Sequence, residues 1–161
     1  MPADDYTLRP PQTQEEWGVV AGLLLDYRNE FDDDTCFTSF EEEVANIRKV
    51  YTAPGSHLIL AINGSDQKIA GCVGLRILSP EIAEMKRLYV IPSHRGFQLG
   101  KKLAIAIISY AKEKNYTRML LDTMMEMKAA QKLYQQLGFT QIDPYSNQDP
   151  SKVICYEKKL I

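Results

Sequence analysis

Arg95-Gly96-Phe97-Gln98-Leu99-Gly100-Lys101-Lys102 is a basic, glycine-containing segment between two regular patterns. Met85–Ile91 precedes it, is rich in β-branched and aromatic residues, and is followed by Pro92, as is typical of a strand that ends. Leu99–Lys114 carries apolar residues at helical spacing. The sequence therefore predicts a strand, a turn and a helix start. Because free N–H groups and the helix dipole favour negative charge there, the turn is a candidate phosphate-binding site.

Length and composition predict one domain over residues 1–161. The hydrophobic fraction is 45% and the charged fraction is 25%, which are ordinary values for a soluble globular protein. No apolar run approaches the roughly 18 to 20 residues of a membrane span, so we expect no membrane contact. The acidic N-terminus, Met1–Asp5, lacks the apolar segment of a signal peptide.

The cysteines and histidines argue against a disulfide framework and against a metal site. The three cysteines are odd in number and widely separated, which fits free thiols in a reducing cytoplasm. The two histidines are too few and too scattered for zinc. We therefore expect a cytoplasmic protein without a metal; the residues concerned are Cys36, Cys72, Cys155, His57 and His94.

Charge is distributed unevenly along the chain. Residues 1–50 contain 12 acids and 4 bases, a net charge of −8, whereas the remaining residues contain 15 bases and 9 acids, a net charge of +6. The two halves form either solvated faces of opposite sign, or an acidic lobe for a cationic substrate and a basic lobe for a polyanionic cofactor. A negative net charge without a long basic stripe argues against nucleic acid as a partner.

The N-terminal third is predicted to contain one strand and two helices. Thr13 with Glu16, and Ser39 with Glu42, form capping-box patterns before helical periodicity. Pro54-Gly55 ends the second helix. The predicted elements are a strand at Tyr6–Arg9 and helices at Gln14–Glu30 and Ser39–Val50.

The rest of the chain is predicted to be an antiparallel meander followed by alternating helices and strands. Asn115 and Gly138 are expected to end the two helices. The complete element order is β-α-α-β-β-β-α-β-α-β-β, which predicts one mixed α/β domain. The predicted strands are His57–Ile62, Lys68–Leu78, Glu81–Ile91, Arg118–Thr123, Phe139–Ile142 and Lys152–Lys159, and the helices are Leu99–Lys114 and Lys128–Leu137.

Two motifs resemble those of one enzyme family. Leu88-Tyr89-Val90-Ile91-Pro92, followed by Arg95–Gly100, resembles the acyl-CoA motif of the GNAT N-acetyltransferase superfamily, usually written Gln/Arg-x-x-Gly-x-Gly/Ala. Ala130–Phe139 is similar to the second signature of that family, Ala-x-x-Leu-Tyr-x-x-x-Gly-Phe. The motifs follow each other in the family's order, and the element order resembles the family's over nearly the whole chain.

The resemblance implies a GNAT fold, of class α/β (α+β), with a central, mostly antiparallel mixed sheet of about seven strands flanked by about four helices. It implies an N-acetyltransferase that uses acetyl-CoA and a primary amine of a small acceptor. It also allows a homodimer, since family members often pair. A non-catalytic acyl-CoA-binding regulatory module with the same fold is the alternative. A P-loop is disfavoured because no Lys-Ser/Thr follows the turn.

The expected cofactor contacts follow from the helix start and from the resemblance. Backbone N–H groups of Gly96–Lys101 would hold the phosphates, and Arg95 would add charge. The main chain of Leu88 and Val90 would pair with the pantetheine amides like an added strand. The full expected set is Leu88, Tyr89, Val90, Arg95, Gly96, Phe97, Gln98, Leu99, Gly100, Lys101, Met127 and Tyr134.

Two positions depart from the family pattern. Gln98 replaces the central glycine of the first motif, so either Gln98 takes an ordinary conformation or the grip on the pyrophosphate is looser. Met127 stands where many members carry an asparagine that contacts the cofactor. The loss of that amide removes a polar contact worth about 1 kcal/mol.

Tyr134 is the candidate general acid, because its place in the second signature matches a tyrosine that often lies beside the CoA sulfur. A phenol, with a reference pKa of about 10, can transfer a proton to such a thiolate. The alternative is a tyrosine that packs on the sheet with its hydroxyl at the rim.

Glu84 is the candidate general base, because several family members place a glutamate at this point of the strand. Strand alternation puts Glu84 on the face of Leu88 and Val90 if no bulge intervenes, and a bulge would change that face. Glu81 is the reserve. The alternatives are an exposed carboxylate that pairs with a base such as Lys86, and a water relay without a dedicated base.

Overall fold

A computed structural model describes residues 5–31 and 39–161; Cys36 lies outside the described residues. A 3-10 turn, Pro92–His94, connects β4 to α4. In chain order the elements are β1 (Tyr6–Arg9), α1 (Gln14–Asn29), α2 (Phe40–Ala45), α3 (Ile47–Thr52), β2 (His57–Asn63), β3 (Ile69–Ser79), β4 (Ile82–Val90), α4 (Leu99–Glu113), β5 (Arg118–Met124), α5 (Lys128–Gln136), β6 (Thr140–Ile142) and β7 (Val153–Lys159).

The strands form one seven-stranded sheet in the order β1-β2-β3-β4-β5-β7-β6. β4 and β5 run parallel, and all other neighbouring strands run antiparallel. The expected mixed, mostly antiparallel sheet of about seven strands is therefore confirmed.

α1 begins as the sequence predicts. The Glu16 N–H donates to the Thr13 hydroxyl at 3.1 Å. The Glu16 carboxylate accepts from the Gln12 N–H at 2.7 Å and also pairs with Arg9. The cap therefore satisfies one N–H group within the first turn and one ahead of the helix, which stabilises the helix start.

The predicted second helix, Ser39–Val50, is wrong in one respect: it is two short helices. Asn46 separates α2 from α3 with φ −121° and ψ 31°, values outside the helical region. Ser39 is left-handed, with φ 59°, and makes no side-chain cap, so its expected capping box with Glu42 is absent. The described residues therefore contain five α-helices where about four were expected.

Both later helices end in left-handed residues, as expected. Asn115 has φ 68° and Gly138 has φ 91°. The Tyr116 N–H donates to Ala111, and the Phe139 N–H donates to Tyr134. These bonds are those of a Schellman motif, which satisfies the last helical carbonyl groups.

Hydrophobic cores lie on both faces of the sheet. α4 packs Leu103 and Ile107 against one face, and α1 packs Trp17 and Leu24 against the other. Consecutive residues of β2, Leu58–Ile62, alternate between the two cores, as strand geometry requires. Each fully buried leucine contributes roughly 2 to 3 kcal/mol relative to exposure.

A β-bulge interrupts β4. Cys72 pairs with Tyr89, and Gly74 pairs with Lys86, so three steps along β4 match two steps along β3. Arg87 lies at the extra position with φ 57°, in the left-handed region that few non-glycine residues adopt.

The bulge changes which side chains share a face of β4. Met85 belongs to the core on the α4 side, and Leu88 and Val90 pack against the same core. Odd-numbered residues face that core before the bulge and even-numbered residues face it afterwards. Of the two arrangements that the sequence left open, the structure therefore has the one with a bulge, in which Glu84 does not share a face with Leu88 and Val90.

A buried ion pair anchors the bulge. The Arg87 guanidinium donates to both Glu43 oxygens, at 2.9 and 3.0 Å, and stacks on Phe40 at 5.0 Å. The Tyr51 hydroxyl also donates to Glu43, at 2.8 Å. Burial alone would raise the pKa of Glu43, but the hydrogen bonds and charge of Arg87 outweigh burial and hold this pKa below its usual range.

Glu43→Gln is expected to lower the free energy of unfolding at pH 7 by about 3 kcal/mol or more, because it leaves Arg87 buried without a counter-charge. Urea unfolding measures this loss. Glu16→Gln is the matched control, since the partly exposed Arg9–Glu16 pair is worth less than about 1 kcal/mol. Equal losses in the two variants would contradict the assignment.

The same comparison has a pH dependence. A carboxyl with a lowered folded pKa contributes stability that is present above its unfolded pKa and is lost as the pH falls through the folded value. The difference in unfolding free energy between wild type and Glu43→Gln is therefore expected to shrink as the pH falls below about 4. A difference that grows in acid would contradict this sign.

Candidate active site

β4 and β5 separate after a short paired stretch. Their pairing covers Ile82–Glu84 and Arg118–Leu120. Beyond it, a cavity of about 40 Å³ lies between Met85–Leu88 and Asp122–Met124, and three further side chains line it: Tyr27, Met127 and Tyr134.

A second cavity, of about 480 Å³, lies at the ends of α1 and β4 and at the start of α5. It shares Tyr27, Leu88 and Met127 with the smaller cavity, so the two adjoin and together form a cleft. Other residues that line the larger part are Glu30, Phe31, Tyr89, Val90, Arg95 and residues 126 and 128–130.

The main chain of β4 presents polar groups to this cleft. The Ile91 N–H donates to the Ala70 carbonyl on the β3 side, at 2.9 Å. Main-chain groups of successive residues alternate between the two edges of a strand, so those of Leu88 and Val90 face the β5 side. These are the two residues expected to offer main-chain groups to a pantetheine arm, and their side chains pack against the core.

α4 begins at Leu99, and within the described residues the side chain of its N-cap residue, Gln98, makes no capping hydrogen bond to the first N–H groups. Gly96 has φ 91° and Gln98 has φ 58°, so the first of the two alternatives for Gln98, an ordinary conformation, is excluded. A left-handed non-glycine residue costs about 1 kcal/mol, which the buried Leu99 beside it offsets. Lys101 is exposed and Phe97 is half-buried. Uncapped N–H groups after positive-φ residues form the kind of concavity that binds phosphate.

Arg95 already has partners within the protein. Its guanidinium Nη2 lies 2.9 Å from both Glu30 oxygens, and its Nε donates to the Val90 carbonyl at 2.9 Å. The guanidinium also lies 5.6 Å from the centroid of the Tyr89 ring. Arg95 is therefore at the rim of the cleft, directly before the phosphate-binding turn.

Tyr134 is buried in α5, where it lines the smaller cavity and contacts the rings of Phe139 and Tyr156. Burial raises the pKa of Tyr134, and the neighbouring Tyr27 and Asp122 raise it further. The hydroxyl therefore stays protonated at neutral pH, which is the state a general acid requires.

Glu84 is buried, with only 8% of its surface exposed, so the alternative of an exposed carboxylate is wrong in its exposure, although the pairing with Lys86 that it included is present. The Tyr145 hydroxyl donates to Glu84 Oε2 at 2.6 Å, and Lys86 Nζ lies 3.7 Å from Oε1. Burial raises the pKa of Tyr145, as do the charge and hydrogen bond of Glu84. The Glu84 carboxylate is thus held in place by Tyr145 at one oxygen and by Lys86 at the other.

Sequence reasoning missed Asp122 and Tyr145. Asp122 lines the smaller cavity beside Tyr134 and lies opposite Cys155 in the β5–β7 ladder. An acid within the mainly apolar strand Arg118–Met124 is a signal that could have indicated it. Tyr145 lies in the loop between β6 and β7, and nothing in its local sequence predicts a contact with a residue 61 positions away.

Met127 is the N-cap residue directly before α5, where it lines both parts of the cleft. The Thr123 hydroxyl donates to its sulfur at 3.6 Å. A thioether is only a weak acceptor, so Met127 offers the cleft apolar surface where an asparagine would offer an amide.

The sequence model of the Acetyltransferase (GNAT) family matches residues 19–139, about three quarters of the chain. This chain belongs to the GNAT family. The resemblance found in the two motifs is therefore confirmed, and as a GNAT member the protein is an acyltransferase. A relative in Schizosaccharomyces pombe, the uncharacterized N-acetyltransferase C1271.07c, is 36% identical over 124 residues and aligns with 76% of each chain.

Solved structures share the fold. A GNAT-family acetyltransferase from Staphylococcus aureus Mu50 has a TM-score of 0.80 at 23% identity, covering 97% of this chain and 99% of that one. Salmonella typhimurium yncA, solved with its cofactor acetyl-CoA, has a TM-score of 0.76 at 15% identity, covering 98% and 95%. A dodecameric spermidine N-acetyltransferase from Vibrio cholerae has a TM-score of 0.72 at 18% identity, covering 97% and 94%.

Neither a membrane span nor a metal cluster is found in the described part of the chain. No helix within residues 5–31 and 39–161 is long and apolar enough to cross a membrane. The same residues contain no group of three or more His, Cys, Asp or Glu side chains placed to hold a metal ion. Cys72 and Cys155 are free, buried thiols, and burial raises the pKa of Cys72 to about 12.

Gly96→Ala is expected to lower the free energy of unfolding by about 1 kcal/mol or more, because alanine rarely adopts φ 91°. No atom lies within 4 Å of the added Cβ, so the cost is conformational. In the matched control Gly100→Ala, the Cβ meets only Leu133 and Val90 at 4.0 Å, and alanine favours the helix by up to about 1 kcal/mol. Urea unfolding should therefore show a loss for the first variant only, and equal losses would contradict this account.

Proposed function

We propose that this protein transfers the acetyl group of acetyl-CoA to the primary amine of a small, cationic acceptor by direct attack on the thioester. The observation that carries the proposal is the separation of β4 and β5. It creates a cleft that ends at the buried Tyr134, and the uncapped start of α4 follows Arg95 at its rim. Family membership and the neighbour with acetyl-CoA support the same donor.

The residues of the cleft fit such a donor in their chemistry. The N–H groups of Gly96–Lys101 would bind the phosphates, and the main chain of Leu88 and Val90 would pair with the pantetheine amides. The remaining proposed contacts are Tyr89, Arg95, Met127 and Tyr134. Acetyl-CoA supplies an activated acetyl group on a thiol leaving group.

Three groups of this chain would handle charge and protons. Glu84, which lines neither part of the cleft, would take a proton from the acceptor ammonium through a water, while Tyr145 and Lys86 hold its carboxylate in place. A main-chain N–H of β4 would donate to the thioester oxygen, where negative charge develops. The Tyr134 hydroxyl would donate its proton to the sulfur as the carbon–sulfur bond breaks, and the second proton that the nitrogen loses as the amide forms would pass through solvent and restore the tyrosine.

Charge supports a cationic acceptor. Residues 1–50 carry a net charge of −8. In the smaller part of the cleft Asp122 lies beside Tyr134, and the two bases there, Lys86 and Arg87, are paired with Glu84 and Glu43. A cation beside Asp122 gains Coulomb energy, more so where water is excluded. The spermidine N-acetyltransferase from Vibrio cholerae shows that the fold accommodates an enzyme of this kind.

We further propose that residues 1–161 form a single acetyltransferase domain in the cytoplasm that pairs as a homodimer. One sheet includes both β1 and β7, which supports a single domain. The free thiols of Cys72 and Cys155 agree with a reducing compartment. The edge strands β1 and β6 offer main-chain groups through which two copies could pair, and sedimentation velocity tests that state.

Tyr134→Phe and Glu84→Gln are each expected to lower kcat at least about tenfold, because proton transfer by a positioned side chain contributes on this order or more. The affinity for CoA is expected to stay within about twofold of wild type, since Tyr134→Phe keeps the ring that would contact CoA and neither change touches the phosphate-binding turn. Thiol release and CoA calorimetry measure the two quantities.

Tyr116→Phe is the matched control, because the Tyr116 hydroxyl donates to Gly55, a residue that does not line the cleft. Unchanged kcat in both test variants would remove these residues from the mechanism. The absence of heat with millimolar CoA and wild-type protein would overturn the donor assignment itself.

A panel of amines tests the acceptor. Polyamines and amino sugars are expected to give kcat/KM values at least about tenfold above those of aspartate, because like charges in the cleft disfavour an acidic acceptor. Peptides with free N-termini and lysine side chains complete the panel. A preference for the acidic acceptor would contradict the charge argument.

A further inference from the structure

Glu30, at the end of α1, is paired with Arg95, the cation that we expect to contact the phosphates of the donor. We infer that Glu30 competes with the phosphates of CoA for Arg95, so that Glu30 lowers the affinity for the donor and Arg95 changes partner when CoA binds. This inference rests on the proposed donor and adds a residue that sets its affinity.

Glu30 is bound in the free protein by two side chains of the cleft. Arg95 Nη2 lies 2.9 Å from each of its oxygens, and the Tyr89 hydroxyl donates to Oε2. Arg95 Nε at the same time donates to the Val90 carbonyl. The carboxylate and the guanidinium therefore hold each other across the rim of the larger part of the cleft.

The position of Arg95 brings it within reach of two kinds of anion. It directly precedes Gly96, the first residue of the phosphate-binding turn, and its side chain folds back towards α1. A guanidinium binds a carboxylate or a phosphate through the same forked geometry, so the two anions are direct alternatives. A phosphate brings more negative charge and also meets the uncapped N–H groups of α4, which Glu30 does not reach in this structure.

Exposure makes the exchange energetically accessible. The Arg95 and Glu30 side chains are 47% and 34% exposed, whereas those of Arg87 and Glu43 are 4% and 5% exposed. An exposed pair contributes little and breaks readily, while a buried pair cannot lose one partner without a large penalty. Of these two pairs, only Arg95–Glu30 can open during each catalytic cycle.

Calorimetric titration of the full chain with CoA tests the inference, with wild type, Glu30→Gln, Arg95→Gln and the double variant. Glu30→Gln is expected to lower the Kd for CoA about threefold to fivefold, the range expected for an exposed ion pair. Arg95→Gln is expected to raise this Kd about tenfold. In the Arg95→Gln background, most of the gain from Glu30→Gln is expected to vanish.

Two controls isolate the phosphates and the local charge. Pantetheine lacks the phosphates, so Glu30→Gln is expected to leave its Kd within about twofold of wild type. Glu16→Gln removes the same charge from an Arg–Glu pair at the opposite end of α1, roughly 20 Å away by helical rise, and is expected to leave the CoA affinity unchanged.

Three outcomes would overturn the inference. A Kd that rises in Glu30→Gln would mean that Glu30 orients Arg95 for the donor. A Kd for CoA that is unchanged in Arg95→Gln would remove Arg95 from the phosphate site. A gain that persists in full in the double variant would mean that Glu30 acts by general repulsion. A wild-type protein that binds no CoA would instead contradict the proposed function, so the two failures are distinguishable.

Discussion

The short pairing of β4 with β5 is the constraint on which the site depends. Parallel bonding covers only Ile82–Glu84 and Arg118–Leu120, and the strands then separate. The bulge at Arg87 lies just beyond this stretch. Because of it, the Leu88 side chain packs against the core on the α4 side. If β4 and β5 paired along their whole length, β5 would bond the main-chain N–H and C=O groups along the edge of β4. No cleft would then lie beside Tyr134.

Two Arg–Glu pairs near the end of β4 have different physical roles because their exposure differs. Arg87 and Glu43 are almost fully buried, so their pair fixes the bulge and ties β4 to α2. Arg95 and Glu30 lie at the rim of the cleft, where water screens the pair and makes its opening inexpensive. The same two residue types therefore fix the backbone of β4 where they are buried and allow a change of ion-pair partner where they are exposed at the rim of the cleft.

The features that the sequence predicted are those with local causes. The periodicity of Leu99–Lys114 and the two motifs predicted the helix start, the element order and the family. The break at Asn46 was missed because tertiary packing overrides helical propensity in short segments. The bulge at Arg87 depends on strand register, and the contact of Tyr145 with Glu84 joins residues 61 positions apart, so neither has a signal in its local sequence.

Amide hydrogen exchange at the end of β4, followed by NMR with and without CoA, tests the central claim most directly. The account predicts that the amides of Leu88 and Val90 exchange at least about tenfold more slowly with CoA, because a bound pantetheine arm would pair with them. The Ile91 amide, already bonded to Ala70, is the internal control and should not change. Binding of CoA by calorimetry with unchanged exchange at Leu88 and Val90 would contradict the account.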